Sequence, residues 1–155
     1  MIADDLTHQP LFKGFTQKQL AALAPLFWRE RLLANEYVFA QGNPAGSVYI
    51  LENGRVVISF FPYDGGSLDI ETIQPGGVFG WSAALGRPHY TSAAICLTDT
   101  QVIAARGSDL RRVMWTDKEL GAELLDRMSQ IVAHRLDSFR TQLIKLMHEE
   151  FGIDH

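Results

Sequence analysis

At 155 residues the chain is the size of one ordinary domain, and its 46% hydrophobic and 21% charged content is that of a globular protein with its own core. A net charge of −4 without a Lys/Arg cluster argues against duplex nucleic acid as a partner, and the single Cys96 excludes an internal disulfide or a cysteine-built zinc or iron–sulfur site. No apolar run approaches the roughly 18 residues of a membrane span, and Met1 to Asp5 lacks the basic and apolar regions of a secretory signal, so a cytoplasmic location is expected.

In chain order, Pro10-Leu11-Phe12 is an apolar knot closed by Gly14, and Thr16 followed by Gln19 predicts a capped helix start. Leu20, Leu23 and Leu26, with Phe27, give that helix a face that lies on a larger body. From Trp28 to about Arg106 the period is that of short strands between turns. Glu36 to Ala40 predicts a strand ended by Gly42-Asn43-Pro44. Val48 to Leu51 and Val56 to Phe61 flank Asn53-Gly54, which predicts a paired hairpin. After the Asp64-Gly65-Gly66 turn, Leu68, Ile70 and Thr72 alternate with Asp69 and Glu71, predicting one buried face and one solvated face. Ala93 to Leu97 and Gln101 to Ala105 add two strands around Thr98-Asp99. About eight short strands without interposed helices predict an antiparallel double-sheet roll or barrel.

Ser108 is a candidate cap for a short helix through Met114, and a long helix is expected from about Asp117 to Phe151, stopped at Gly152. Its apolar stripe of Leu125, Met128, Val132, Leu136, Phe139, Leu143 and Leu146 is close to a coiled-coil seam. At about 1.5 Å per residue, the part beyond Leu136 outruns so small a roll, which predicts a partner helix; the alternative is a helix folded back on its own domain.

Pro75 to Ala93 combines a turn at Pro75-Gly76-Gly77, a short apolar strand at Val78-Phe79, and a single helical turn from Trp81 to Leu85 between Gly80 and Gly86. Amides at a helix start beside a glycine suit a small anionic ligand. A plain loop between two strands is the alternative reading of the same residues.

The order of these features resembles the cyclic-nucleotide-binding domain of catabolite-activator-type regulators, protein-kinase regulatory subunits and gated channels, over residues 8 to about 150. The resemblance rests on Pro10-Leu11-Phe12, the Gly42 turn, Val48-Tyr49-Ile50-Leu51 with Gly54, Gly77-Val78-Phe79-Gly80 and Thr98-Asp99-Thr100. It implies a mainly β fold with flanking helices: an eight-stranded antiparallel jelly roll, an N-terminal helix and a long C-terminal helix. The expected organisation is a helical lead-in over residues 1–27, a ligand-binding β body over 28–107 with a phosphate-binding-cassette-like segment at 79–93, and C-terminal helices over 108–155. The ligand site it implies comprises Phe79, Gly80, Trp81, Ser82, Ala83, Arg87, His89, Tyr90, Thr91 and Ser92, and the dimer interface Leu136, Phe139, Leu143 and Leu146.

Two positions depart from the family pattern. Trp81 stands where a glutamate accepts from the ribose hydroxyl, and Tyr90 where an arginine holds the cyclic phosphate. Weak cAMP or cGMP binding at best, or another small anionic ligand, is therefore expected, with Arg87 or His89 as replacement cations and a solvated surface role as the default for each. The pieces around Trp81 and Tyr90 also resemble a divergent bacterial branch of stand-alone members. The sequence ends at His155 without room for a helix-turn-helix domain, so direct DNA reading is not expected. Ser82 is in no nucleophile elbow, and His8, His89, His134, His148 and His155 share no metal-ligand spacing, so neither an enzyme nor a metal site is expected. Haem, with His89 as axial ligand, has no further support, and Asp69 and Glu71 default to a solvated strand face. The main expectation is a homodimeric, non-enzymatic sensor that signals through its long helix to a downstream protein. The alternative is a ligand-free interaction module whose pocket is filled by Trp81 and Tyr90.

Overall fold

The computed structural model describes residues 2–151, so the expected stop at Gly152, and His155, lie outside the described residues. The N-terminal segment forms α1 (Ile2–Thr7), a 3-10 turn at Pro10–Phe12 and α2 (Gln17–Leu23), followed by a second 3-10 turn at Ala24–Leu26. The start of α2 is the capping box read from sequence. The Gln19 amide donates to Thr16 Oγ1 at 3.1 Å, and the Thr16 amide donates to Gln19 Oε1 at 2.9 Å.

Eight strands follow: β1 (Phe27–Leu32), β2 (Tyr37–Phe39), β3 (Ser47–Asn53), β4 (Val56–Phe60), β5 (Leu68–Ile73), β6 (Val78–Phe79), β7 (Ala93–Cys96) and β8 (Thr100–Arg106). They form two four-stranded antiparallel sheets, ordered β1-β8-β3-β6 and β2-β7-β4-β5. This is the expected jelly roll, but Asn53-Gly54 is not a hairpin turn. β3 pairs with β8 and β6, whereas β4 pairs with β5 and β7, so the chain changes sheets at Gly54. The same happens between β7 and β8, and the two corners lock together. The Arg55 amide donates to Thr98 Oγ1 at 3.0 Å and the Leu97 amide to the Arg55 carbonyl at 2.9 Å. Gly54 has φ 94°, and a Cβ there would lie 2.4 Å from the Asp99 carbonyl oxygen. Glycine is required by that approach, not by a tight hairpin.

The local β-hairpin is β4–β5, and it is irregular. Ile58 pairs with Glu71 and Ser59 with Asp69, so Ile70 is the extra residue of a bulge. The expected alternation fails there: Ile70 and Ile73 are buried, while Thr72 is exposed. Asp69 accepts from Ser59 Oγ at 2.7 Å, and neither Asp69 nor Glu71 is merely solvated.

Strands β3, β6 and β8 of the first sheet are buried on both faces, which explains their apolar runs, while the edge strand β1 is largely exposed. Val48, Ile50, Val78, Ile103 and Ala105 face a helix-side core, while Tyr49, Leu51, Phe79, Val102 and Ala104 face the core between the sheets. Alternate residues thus serve two cores at period two. The helix-side core is completed by Leu6, Phe12, Leu23, Leu120 and Met128, each essentially inaccessible and worth about 1.5–3 kcal/mol on burial.

Two helices follow β8, α4 (Gly107–Thr116) and α5 (Lys118–Phe151). The α4 cap position is Arg106, without a side-chain cap bond, so Ser108 lies inside the first turn and is not the cap. A Cβ on Gly107 would meet the Ala83 carbonyl at 2.2 Å, and this close approach fixes where the helix starts. Asp117 Oδ1 accepts from the Leu120 amide at 3.1 Å at the start of α5. The packed face of α5 is Leu120, Leu124, Met128 and Ile131, and Leu125 is 49% exposed, outside it. Beyond Leu136 the helix is not free of its own domain. It runs along β5, with Phe139 edge-on to Phe60 at 5.6 Å and Leu143 and Leu146 beside the Pro62–Leu68 turn. The fold-back alternative therefore holds for one face of the distal helix. A second face remains open, with Leu136 68% exposed.

Candidate functional site

β6 delivers the chain to Gly80, whose φ of 82° and close neighbours, Ser47 O at 2.9 Å and Tyr49 Cδ2 at 3.2 Å from a notional Cβ, admit only glycine. The chain then forms α3 (Trp81–Ala84). The Arg111 guanidinium donates to the Ala83 carbonyl and tethers α3 to α4. Past Gly86, the segment to Tyr90 is laced to the loop after β2. Ala45 donates to the Pro88 carbonyl at 3.0 Å, Tyr90 to the Asn43 carbonyl at 2.9 Å, and Gly42 to the Tyr90 carbonyl at 2.9 Å. Backbone bonds at both ends hold the loop in one shape.

This segment walls a cavity of about 350 Å³. Of the residues expected from sequence, Gly80, Trp81, Ser82, Arg87, Tyr90, Thr91 and Ser92 line it. Phe79, Ala83 and His89 do not. Phe79 and Ala83 are fully buried in the two cores, and His89 is exposed, in an isolated bridge with Pro44. The cavity further takes Phe39 and Ile58 from the inter-sheet core, Leu85 from the loop, and Val132, Arg135 and Leu136 from α5. Sequence reasoning assigned Val132 and Leu136 to the helix stripe and passed over Arg135. The signal available was its place three residues after Val132, about 60° round the helix, but period alone does not say what that side covers.

Trp81 and Tyr90, the two residues at which the sequence resemblance implied a departure, are held by the protein itself. Trp81 is 6% exposed and belongs to the helix-side core. Tyr90 stacks on Phe39 at 3.7 Å between ring centroids, and its hydroxyl donates to the Ser47 carbonyl at 2.6 Å while accepting from the Ser47 amide at 3.0 Å. Both form walls, and a cavity remains beside them, so these side chains do not fill it. Burial pushes the Tyr90 phenol above its ordinary pKa. Its neighbour Tyr49, stacked on Phe79 at 5.3 Å, is pushed up to about 12 for the same reason, helped by the nearby Tyr90 oxygen.

Of the two cavity guanidiniums, one is occupied. Arg135 Nε donates to Glu71 Oε2 at 2.8 Å and its Nη2 to the Val78 carbonyl at 2.9 Å, joining α5 to β5 and β6. His134 Nε2 lies 3.2 Å from the other Glu71 oxygen. Arg87 is exposed, and its guanidinium has no ion pair or hydrogen bond among the described residues. Among the described residues, no group of three His, Cys, Asp or Glu could hold a metal ion, and no helix is long and apolar enough to cross a membrane.

A two-sheet roll with a glycine-entered helical turn and a short and a long C-terminal helix is the arrangement implied by the sequence resemblance; the contribution of α5 to the cavity wall is a feature of the structure. Residues 29–117, more than half of the chain, match the model of the cyclic nucleotide-binding domain. The chain belongs to that family. It is 25% identical over 142 residues to a CRP-like cAMP-activated global transcriptional regulator of Mycobacterium tuberculosis, covering 92% of this chain and 62% of that one. It is 27% identical over 126 residues to a protein of Rhodopseudomonas palustris named for a potassium channel, covering 81% and 29%. The chain thus spans less than two thirds of the length of these curated relatives. Among solved structures, a cyclic nucleotide-binding-type protein of Geobacter metallireducens superposes with a TM-score of 0.77 at 24% identity, covering 88% of this chain and 98% of that one. That likeness establishes the fold.

Proposed function

We propose that this member of the cyclic nucleotide-binding domain family is a non-enzymatic, cytoplasmic sensor in which a small ligand beneath α5 sets the position of that helix, and the helix carries the signal to a downstream protein. One observation carries the reading: Val132, Arg135 and Leu136 of α5 are themselves part of the cavity wall. A ligand in the cavity would lie against the helix, and the Arg135–Glu71 contact beside it is one of the contacts that hold α5 on the roll, with the Leu120–Met128 packing and Phe139 on Phe60. The same helix presents an exposed stripe of Leu125, Val132, Leu136, Leu143 and Met147, which lie within about 60° of one another at ~100° per residue. We assign this stripe to homodimer formation. Of the expected interface, Leu136 belongs to it, Leu143 sits at its edge and, like Leu146, lies beside the β4–β5 hairpin, and Phe139 is committed to its own Phe60.

Cyclic nucleotides are poor ligands for this cavity. Trp81 offers no acceptor for a ribose hydroxyl, and the Tyr90 hydroxyl is already shared with Ser47. Calorimetric titration of the full chain with cAMP and cGMP is expected to show no saturable heat at micromolar concentration; submicromolar binding of either would overturn this reading of the two positions. Hydrogen exchange of α5 tests the sensor itself, since any cavity ligand is expected to change protection around Val132 to Leu136 and a ligand that leaves it unchanged contradicts the proposal.

A further inference from the structure

We infer that the cavity takes a small monoanion with an apolar, ring-bearing body, a one- or two-ring carboxylate, held by Arg87 at the rim. The inference rests on the reading of this cavity as the ligand site and adds the class of ligand. At about 350 Å³ the cavity is at the small end of ligand pockets, which run from about 300 to about 1,000 Å³. Its inner wall is apolar, the Phe39–Tyr90 stack and Ile58, and the half-exposed Leu85 of the loop and Val132 and Leu136 of α5 line its outer part.

The polar groups divide into those already satisfied and those not. Arg135 uses Nε on Glu71 and Nη2 on the Val78 carbonyl, and Tyr90 uses its hydroxyl as both donor and acceptor on Ser47. What remains is the Arg87 guanidinium and the hydroxyls of Ser82, Thr91 and Ser92, none of which has a side-chain partner among the described residues, and the Trp81 indole N–H, which is buried without a partner. No carboxylate lines the cavity; the neighbouring Glu71 is held by Arg135 and His134. A ligand rich in donors, such as a sugar or an ammonium group, therefore meets no charged acceptor. A ligand with one planar anionic head meets a guanidinium fork and three hydroxyl donors. Arg87 also sits on an anchored backbone, its amide donating to the Ser82 carbonyl at 2.9 Å and the next carbonyl, of Pro88, accepting from Ala45 at 3.0 Å, so little ordering of the loop accompanies binding.

The test is calorimetry on the full chain and on Arg87→Gln with three probes: 2-naphthoate, its neutral isostere 2-naphthalenemethanol, and cAMP. Naphthoate is expected to bind at least about tenfold more tightly than the alcohol and than cAMP, and Arg87→Gln to remove its advantage over the alcohol while leaving the alcohol's affinity and the melting temperature unchanged. Equal binding of naphthoate and alcohol by the unmodified chain, or an unchanged naphthoate affinity in Arg87→Gln, overturns the anion assignment. Tighter binding of cAMP than of naphthoate overturns the ligand class but leaves the cavity as a sensor's ligand site. Binding of none of the three overturns the inferred class, and unchanged protection of α5 when a probe does bind overturns the sensor reading alone.

Discussion

The Tyr90 hydroxyl closes two bonds to one residue, Ser47, and so ties the cavity loop to β3 with a neutral group at the position where the family resemblance implies a cation. Trp81 is likewise spent on the helix-side core, where a carboxylate would be desolvated without a partner. Substitutions that introduce the acidic residue at 81 and the basic residue at 90 that the resemblance implies would therefore act on folding before they act on binding. Beneath them, Tyr49 is pushed up to about 12 by burial, against an ordinary value of 10.0. A folded-state pKa above the unfolded one means that the native protein keeps a proton the unfolded chain has lost. The contribution is complete below about pH 10 and disappears as pH rises through about 12. Urea unfolding at about pH 9 and about pH 11.5 is expected to show a larger loss of stability for the unmodified protein than for Tyr49→Phe, and equal losses would exclude Tyr49 as the source.

At the scale of elements, the two sheet-changing corners at Gly54 and Thr98–Thr100 determine that the strands build a roll and not a meander. Gly54→Ala places a Cβ 2.4 Å from the Asp99 carbonyl oxygen and 2.8 Å from Thr100 Oγ1, at a φ of 94°. A loss of roughly 2–4 kcal/mol is expected, strain and overpacking together. Gly65→Ala is the control: φ is 96°, but nothing lies within 4 Å of its notional Cβ, so it tests backbone strain alone. Chemical denaturation of both variants separates the packed corner from the strained turn, and equal losses would show that the corner contact contributes nothing. The distal half of α5 is the second element that packing reshapes. Arg135 and Phe139 bind it to β5, β6 and β4, while its opposite face stays open.

For the whole molecule, the first sheet is a shared wall between two cores, and the cavity opens where the inter-sheet core meets α5. A ligand there lies against the inner sheet faces and the helix at once, and the helix continues into an exposed apolar stripe. Burial of that stripe against a second copy is expected to make the chain a dimer. Leu136→Glu combined with Leu143→Glu should give a folded monomer by light scattering, because each places a charge in the proposed seam while leaving Phe139 on Phe60. A dimer of unchanged size would remove the assignment of this face.

Local chemistry was legible from the sequence wherever neighbours in the chain determine it. The Thr16–Gln19 capping box, the Gly80 entry to a short helix and the strand runs of β3 and β8 all follow from residues a few positions apart. The family resemblance added the roll and the cavity segment for the same reason, since its marks are short motifs. Only the tertiary structure decided which strands pair, because Asn53-Gly54 has the same local preference at a hairpin and at a corner, and the choice is made by Asp99 and Thr98 far along the chain. It also decided that Trp81 and Tyr90 are walls, that Arg135 is already paired, and that the helix has one face for its own roll and another left open. Each of these depends on contacts between residues tens of positions apart, for which period and composition carry no term.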